Sequence, residues 1–366
     1  MKVEVLIELS EGCNMNCTYC FQEKTSKHRI SIRDFVFGFI DVYNKTKSTN
    51  YRLNLYGGEP LIHFEKIKQI VNCIKSIKKH DFSYIRELNI FSDEELNDLK
   101  QKLLPLKNFQ YEYWMSSNLL SLNQEKADFI VNNKINVSFS YDGLNQNERP
   151  LLNGSSSNLL YDNKNQYILN FIKYLKEHKI GFKIHTVLTP FMSVKNNSNY
   201  IYEKFLVYPE FNLVKDHGVW DKESLEFLND SLDELEQDPY NFHYYFMDGI
   251  HKLIQYQIDG ITSNCGAGQK HFAILDNGNI RGCERQKNED DVNILSYWEA
   301  EQCKTCDIRN FCKKGCPYET RKNGLVPLCT YYKKYFKICK NILNEIQNSD
   351  VETKRIFKNR MVRYIG

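Results

Sequence analysis

Residues 12–21 read Gly-Cys-Asn-Met-Asn-Cys-Thr-Tyr-Cys-Phe and directly follow Val3–Glu8, an apolar segment that is predicted to be a strand. The three thiols of Cys13, Cys17 and Cys20 therefore stand together at a strand end. Iron–sulfur cubes are usually held by four thiolates, so three at this spacing suit three irons of one 4Fe–4S cluster. The fourth iron would then be open to a small chelating molecule, which indicates chemistry rather than storage. A structural zinc site is the alternative, although such sites usually take four ligands.

The spacing C-x3-C-x2-C, with the aromatic Tyr19 before the third cysteine, resembles the signature of the radical S-adenosylmethionine (SAM) superfamily. That resemblance implies that Cys13, Cys17 and Cys20 bind a 4Fe–4S cluster whose open iron holds SAM. It also implies an α/β fold, a partial barrel in which the cysteine loop follows the first strand.

The composition is that of an ordinary globular protein, with 366 residues, 42% hydrophobic and 26% charged. An apolar run of 18 residues and the layout of a signal peptide are both absent from the sequence, so we expect a cytoplasmic protein with no membrane partner. The net charge of +3 gives no reason to expect a nucleic acid partner. Twelve cysteines without an export signal favour metal ligands over disulfides, because cytosolic thiols stay reduced.

The first half of the chain alternates short apolar segments with amphipathic ones, which predicts βα units around a parallel sheet. The predicted strands are Val3–Glu8, Arg52–Tyr56, Tyr111–Ser116, Ile135–Tyr141, Phe182–Leu188 and Phe211–Val214. Six units are too few to close an eight-stranded barrel, so we expect a partial (β/α)6 radical SAM barrel with its site at the carboxyl ends of the strands. The expected domains are this barrel at 1–218, a helical bridge at 219–260, a cysteine-rich module at 261–345 and a basic tail at 346–366.

Further SAM contacts are predicted at strand ends. The turn Gly57-Gly58-Glu59-Pro60 resembles the family's second motif, in which glycines allow a ligand to approach and the acid lies beside the SAM ammonium. Segments after the third and fourth strands resemble further SAM contacts, and a guanidinium suits the SAM carboxylate. The predicted SAM-binding residues are Tyr19, Gly57, Gly58, Glu59, Pro60, Asn118, Ser140, Asp142, Arg149 and Leu188.

The later cysteines form a second motif that resembles the SPASM domain, a C-terminal extension of radical SAM enzymes that modify peptides and proteins. By that resemblance the domain holds two auxiliary 4Fe–4S clusters, which makes three clusters in all. The nearer cluster would be bound by Cys265, Cys283 and Cys316, and the outer one by Cys303, Cys306, Cys312 and Cys329. Zinc ribbons are an alternative for these cysteines taken alone.

The nearer cluster differs from that of sulfatase-maturing enzymes, which supply a further cysteine just after the first. This chain has Gly268, Lys270 and His271 there instead. Either one iron stays open to a substrate group, or a residue such as His271 completes the set. Glu284 directly follows Cys283, where sulfatase-maturing enzymes carry an aspartate base, so Glu284 is the predicted catalytic base. A solvated side chain is the alternative for Glu284.

The resemblance implies that SAM is cleaved reductively to a 5′-deoxyadenosyl radical, which removes hydrogen from an unreactive carbon while the auxiliary clusters accept an electron. We expect a peptide maturase that forms a thioether, carbon–carbon or ether crosslink within a ribosomally made precursor peptide. Oxidation of Ser or Cys to formylglycine in a sulfatase is the close alternative. An electron carrier and an RNA-modifying enzyme are more distant ones.

The expected partners follow from the same resemblance. They are the precursor peptide, a flavodoxin- or ferredoxin-type electron donor and a leader-binding protein. The cluster motif begins at residue 13, with no winged-helix domain before it, so leader recognition is expected to rest either on a separate protein or on the barrel and tail.

Overall fold

The structure is a computed structural model that describes residues 2–214, 219–237, 245–246, 249–250, 253–254, 266–286, 305–308, 312, 328–352 and 354–355. The chain divides into two compact units. Unit 1 comprises Met1–Tyr141, Gln146–Lys183 and Gly266–Val292, and unit 2 comprises Asp142–Asn145, Ile184–Cys265 and Asn293–Gly366.

The strands of the described residues are β1 (Val3–Glu8), β2 (Asn50–Tyr56), β3 (Gln110–Ser117), β4 (Ile135–Ser140), β5 (Phe182–Leu188), β6 (Pro209–Leu213), β7 (His271–Ile274) and β8 (Ile280–Arg281). In unit 1, parallel pairing joins β1 to β2, β2 to β3 and β3 to β4. The other edge of β1 pairs in parallel with β7, and β7 pairs with β8 in antiparallel. In unit 2, β5 pairs in parallel with β6 from Ile184 onward.

The helices of the described residues are α1 (Ile32–Thr46), α2 (Phe64–Lys79), α3 (Ser83–Glu87), α4 (Asp93–Leu103), α5 (Gln124–Asn132), α6 (Asn158–Glu177), α7 (Val194–Phe205), α8 (Lys222–Glu236) and α9 (Cys329–Asn348). Ser31 caps the start of α1, because its hydroxyl accepts a hydrogen bond from the Asp34 amide at 2.9 Å.

The sheet of unit 1 has an apolar face and a polar face, because side chains alternate along a strand. On β1, Val3, Val5 and Ile7 are fully buried. The other face of β1 carries Glu4 and Glu8. The helices pack on the apolar face, as where Phe39 of α1 contacts Tyr51 of β2 with ring centroids 5.1 Å apart. The polar face carries the charged groups of the candidate site.

Helices α3 and α4 form an insertion between α2 and β3. Arg33 of α1 holds this insertion by donating to the Ile90 carbonyl at 3.1 Å and to the Glu95 carboxylate at 3.2 Å. Its guanidinium also lies over the rings of Phe37 and Phe91, at 5.2 and 5.1 Å. The insertion is therefore packed against α1.

Unit 2 combines the β5–β6 pair with α7, α8 and α9. Lys334 of α9 donates to the Asn229 carbonyl of α8 at 2.7 Å. Tyr331 and Tyr335 of α9 pack with Tyr245, whose hydroxyl lies 2.6 Å from that of Tyr331. These contacts bury the aromatic face of α9.

The predicted α/β fold with a parallel sheet is confirmed, and each of the six predicted strands is present. The short strands β7 and β8, which complete the sheet of unit 1, were not predicted. None of the helices described here has the length and apolarity needed to cross a membrane. The expected domain boundaries remain predictions.

Candidate active site

The loop between β1 and α1 carries Cys13, Cys17 and Cys20. Burial, the charge of Glu59 and the charges of Cys17 and Cys20 together raise the pKa of the Cys13 thiol to about 12. The three thiols therefore lie near enough to oppose one another's ionisation. A metal ion relieves this by replacing the protons, so the loop fits the group that the motif implies.

The glycine turn after β2 packs directly on this cysteine loop. The Gly58 amide donates to the Ser10 carbonyl at 2.8 Å. A Cβ at Gly57, whose φ is +138°, would lie 2.2 Å from the same carbonyl oxygen. A Cβ at Gly58 would lie 2.2 Å from the carbonyl oxygens of both Glu11 and Gly12. Only glycine fits at either position, and the backbone of the turn is thereby held against the loop.

Glu59 joins the end of β2 to the end of β3. Its Oε1 accepts hydrogen bonds from the Ser117 hydroxyl at 2.7 Å and the Leu61 amide at 2.9 Å, and its Oε2 accepts one from the Asn118 amide at 2.7 Å. Burial raises the pKa of this carboxyl, while the hydrogen bonds and the charge of Arg149 oppose the rise. A carboxylate has about four acceptor positions, so room for one further donor remains on Oε2.

Asn118 connects β3 to the cysteine loop. Its side-chain amide donates to Asn14 Oδ1 at 2.7 Å, and its carbonyl accepts from the Tyr161 hydroxyl at 3.0 Å. Asn14 stands directly between Cys13 and Met15. The position of the loop is thus set by a strand that lies about a hundred residues further along the chain.

The segment around Arg149 reaches the same loop from the other side. Arg149 Nη1 donates to the Tyr19 hydroxyl at 2.9 Å. Next to this pair, the Thr18 hydroxyl donates to the Glu148 carboxylate at 2.6 Å. The structure therefore brings the predicted SAM contacts Tyr19 and Arg149 together.

The remaining predicted SAM contacts lie at other strand ends. Pro60 is buried at the start of a short 3-10 turn, and Ser140 ends β4. In unit 2, Asp142 is fully buried and its Oδ1 accepts from the Val187 amide at 3.0 Å. Leu188, the next residue, is also fully buried.

Glu284 is ion-paired in the structure. Its Oε2 lies 3.3 Å from His271 Nε2 and 3.3 Å from Cys283 Sγ. Burial alone would raise the pKa of this carboxyl, but the hydrogen bond and charge of His271 lower it to about 2. The side chain is therefore a carboxylate at neutral pH. His271 Nδ1 lies 3.2 Å from Glu4 Oε2.

Of the other predicted cluster ligands, Cys306, Cys312 and Cys329 are partly buried. Cys265, Cys303 and Cys316 lie outside the described residues. Within the described part of the chain, no three Cys, His, Asp or Glu side chains converge on a single metal ion. In a 4Fe–4S cube each thiolate binds a separate iron. The ligands of a cluster therefore do not need to converge on a single ion.

The sequence did not indicate three groups that the structure places in or beside the site. Ser117 had no assigned role, and the Thr18–Glu148 pair joins residues 130 positions apart. Glu4 was unassigned as well, although a carboxylate in the interior of a mostly apolar strand is a signal that can be noticed in advance.

Comparison with known proteins gives a family match. The model of the "Radical SAM superfamily" matches residues 7–196. A cysteine-type anaerobic sulfatase-maturating enzyme of Clostridium perfringens is 22% identical over 381 residues, covering 90% of this chain and 93% of the relative. The chain spans 57% of the length of a relative from Methanocaldococcus jannaschii, with 27% identity.

Two solved structures have a similar fold. Native anSMEcpe with bound AdoMet and Cp18Cys peptide has a TM-score of 0.63 at 20% identity, covering 94% of this chain and 100% of that one. Streptococcus suis SuiB bound to precursor peptide SuiA has a TM-score of 0.52 at 13% identity, covering 88% of this chain and 73% of that one. At these identities the likeness is one of fold.

Proposed function

From the premise that this chain belongs to the radical SAM superfamily, we propose that it is a maturase that oxidises a peptide substrate. The product we propose is an intramolecular thioether, carbon–carbon or ether crosslink in a ribosomally made precursor. The enzyme class follows from the family, whereas the substrate and the bond are our inference.

One contact carries this proposal. Phe21 directly follows Cys20, Arg285 directly follows Glu284, and the Arg285 guanidinium lies 4.5 Å from the centre of the Phe21 ring. The loop that would hold the SAM cluster and the loop that carries the candidate base are therefore neighbours within unit 1. Such an arrangement suits a substrate carbon that gives up a hydrogen atom on one side and a proton on the other.

The residues divide this work between them. Cys13, Cys17 and Cys20 would hold the SAM cluster, and Arg149 would pair with the SAM carboxylate. When bound, SAM and its reduced cluster supply a 5′-deoxyadenosyl radical that takes one hydrogen atom from the substrate. Glu284 would then accept one proton, and the remaining electron would pass to an auxiliary cluster. The substrate thus loses two hydrogen atoms in all.

A crosslink is favoured by two departures from the sulfatase-maturing pattern. Gly268, Lys270 and His271 occupy the segment where those enzymes carry a further cysteine, and Ser116-Ser117-Asn118 replaces most of their Gln-Thr-Asn-Gly motif. Both changes lie near the proposed site, where substrate chemistry is decided.

Formylglycine formation is the second candidate. It is supported by the similarity to the Clostridium perfringens sulfatase-maturating enzyme, which extends over 90% of this chain. Glu284, one methylene longer than the aspartate of that pattern, would take the same proton in either reaction.

The test is an anaerobic reaction of the iron-loaded protein with SAM, a reductant and, separately, peptides encoded beside its gene and a Ser- or Cys-containing sulfatase peptide. A crosslink and a serine oxidation both remove two hydrogen atoms, so mass alone does not separate them. A hydrazide reacts with the aldehyde of formylglycine but not with a crosslinked peptide. A crosslink instead suppresses fragmentation between the two residues that it joins. If the protein cleaves SAM but modifies neither class of peptide, the proposed function is wrong.

The electron donor and any leader-binding protein are part of the same proposal. We propose a flavodoxin or ferredoxin as donor, because a low-potential carrier must reduce the cluster. A separate leader-binding protein should increase the rate with full-length precursor and leave the rate with the isolated core peptide unchanged.

A further inference from the structure

His271 is the least expected residue of the site. In the chain it lies, with Gly268 and Lys270, in the segment where the resemblance places a further cluster cysteine, and a neutral imidazole is a common metal ligand. Its surroundings decide whether it can serve as one.

Both ring nitrogens of His271 are engaged by carboxylates. Nδ1 lies 3.2 Å from Glu4 Oε2, and Nε2 lies 3.3 Å from Glu284 Oε2. An ionised carboxylate only accepts hydrogen bonds, so each nitrogen must donate an N–H. The imidazole then has no lone pair with which to bind iron.

The backbone fixes this arrangement. Glu4 and His271 are directly paired residues of β1 and β7, and the Glu4 amide donates to the Lys270 carbonyl at 2.7 Å. Asn54 of β2 donates to the other oxygen of Glu4 at 2.5 Å. Glu4 cannot turn away from His271 without losing that bond, so the position of the imidazole is set by the sheet.

We propose that His271 is a positioning residue for Glu284, held in place by Glu4, and that it is not an iron ligand. The chain Asn54–Glu4–His271–Glu284 holds the candidate base beside Cys283. The role of the base rests on the proposed function, whereas the statement about iron does not.

The first test asks whether the unchanged His271 side chain binds iron. The triple variant Cys13→Ala/Cys17→Ala/Cys20→Ala removes the SAM cluster, and pulsed electron paramagnetic resonance without SAM then reports only on auxiliary clusters. We expect no strong ¹⁴N coupling from an imidazole, and His271→Ala in this background should keep the same iron content. A strong coupling that disappears in His271→Ala would overturn the proposal.

The positioning half is tested by the ratio of modified peptide to 5′-deoxyadenosine. In His271→Ala and in Glu4→Gln we expect this ratio to fall about tenfold, as is usual when a supporting hydrogen-bond partner is removed, with SAM cleavage within about twofold of the parent. Glu112→Gln is the matched control. Its carboxylate lies on β3, pairs with Lys2 and Arg52 instead, and should leave the ratio unchanged.

A general loss of structure would lower SAM cleavage and the ratio together, which separates it from a positioning role. A parental ratio in both His271→Ala and Glu4→Gln would overturn the positioning role. If the parent modifies no peptide, the proposed function fails, and the nitrogen coupling still decides whether His271 binds iron.

Discussion

At the scale of single residues, the site depends on polar side chains that do several things at once. Glu59 was predicted as a SAM contact, and in the structure its carboxylate already accepts three hydrogen bonds from the protein. It therefore holds the ends of β2 and β3 in place whether or not it also touches SAM. Burial raises the pKa of Glu59, and the three donors oppose this rise by stabilising the buried carboxylate.

Replacing Glu59 with Gln should test this dual role. A Gln amide places an N–H₂ against one of the three donors, so we expect a loss of about 1–3 kcal/mol in the free energy of unfolding. SAM affinity should fall by about tenfold, which corresponds to about 1.4 kcal/mol. Urea denaturation and calorimetric titration with SAM measure the two effects. Unchanged stability would contradict the bonding described for this carboxylate.

Replacing Cys17 with Ala should abolish SAM cleavage, because two thiolates cannot hold a cube with one open iron. The measurement is 5′-deoxyadenosine formed under anaerobic reduction. Cys73→Ala is the matched control, since Cys73 is fully buried on α2 and belongs to no predicted cluster. The control should keep its iron content and its cleavage activity. Equal loss in both variants would count against our assignment of the ligands.

At the scale of elements, the glycine turn after β2 packs backbone to backbone against the cysteine loop. Gly58→Ala should displace the loop, because the added Cβ would lie 2.2 Å from two carbonyl oxygens. We expect loss of SAM binding and of most SAM cleavage, measured by titration and by 5′-deoxyadenosine. Gly154→Ala is the control. An added Cβ there meets open space, and the φ of +83° costs an alanine about 1–2 kcal/mol, so SAM binding should persist.

The α3–α4 insertion is docked by an ion pair, which predicts a pH dependence. The hydrogen bond from Arg33, with the Ser92 amide, lowers the pKa of Glu95 from 4.5 to about 2. A carboxyl with a folded-state pKa below its unfolded value stabilises the fold above about pH 4.5, and this stabilisation is lost as the pH falls through about 2. Glu95→Gln should therefore be less stable than the parent at pH 6, and this difference in stability should become smaller in acid. Urea midpoints at pH 6 and pH 3 measure this, and parallel pH curves would contradict it.

At the scale of the whole molecule, part of the cysteine-rich region belongs to the first sheet. β7 pairs with β1, and a Cβ at Gly38 of α1 would lie only 2.8 Å from Ile274 of β7. Residues 266–292 are grouped with unit 1 for this reason. The strand that carries His271 thus contributes to the stability of the sheet as well as to the candidate site.

A chain that ends at residue 265 should therefore be less stable than one that ends at residue 292. The shorter chain exposes an edge of β1 and the apolar surface that β7 covers, which favours aggregation. Both chains lack α9, so the comparison isolates β7 and β8. Size-exclusion chromatography and thermal melting measure the difference. Equal solubility and equal melting temperatures would show that β7 is not needed by the sheet.

The sequence by itself determined the parallel α/β fold and the family, because strand periodicity and thiol spacing within one loop are local properties. Cys13, Cys17 and Cys20 need only seven steps of chain to come together, so their spacing reports directly on their chemistry. The surroundings of His271 were decided by tertiary structure alone. Glu4 and His271 lie 267 positions apart, and only the pairing of β1 with β7 makes them neighbours. An imidazole beside one carboxylate keeps a nitrogen available for a metal, whereas in His271 both nitrogens are engaged by carboxylates, and sequence cannot distinguish the two cases.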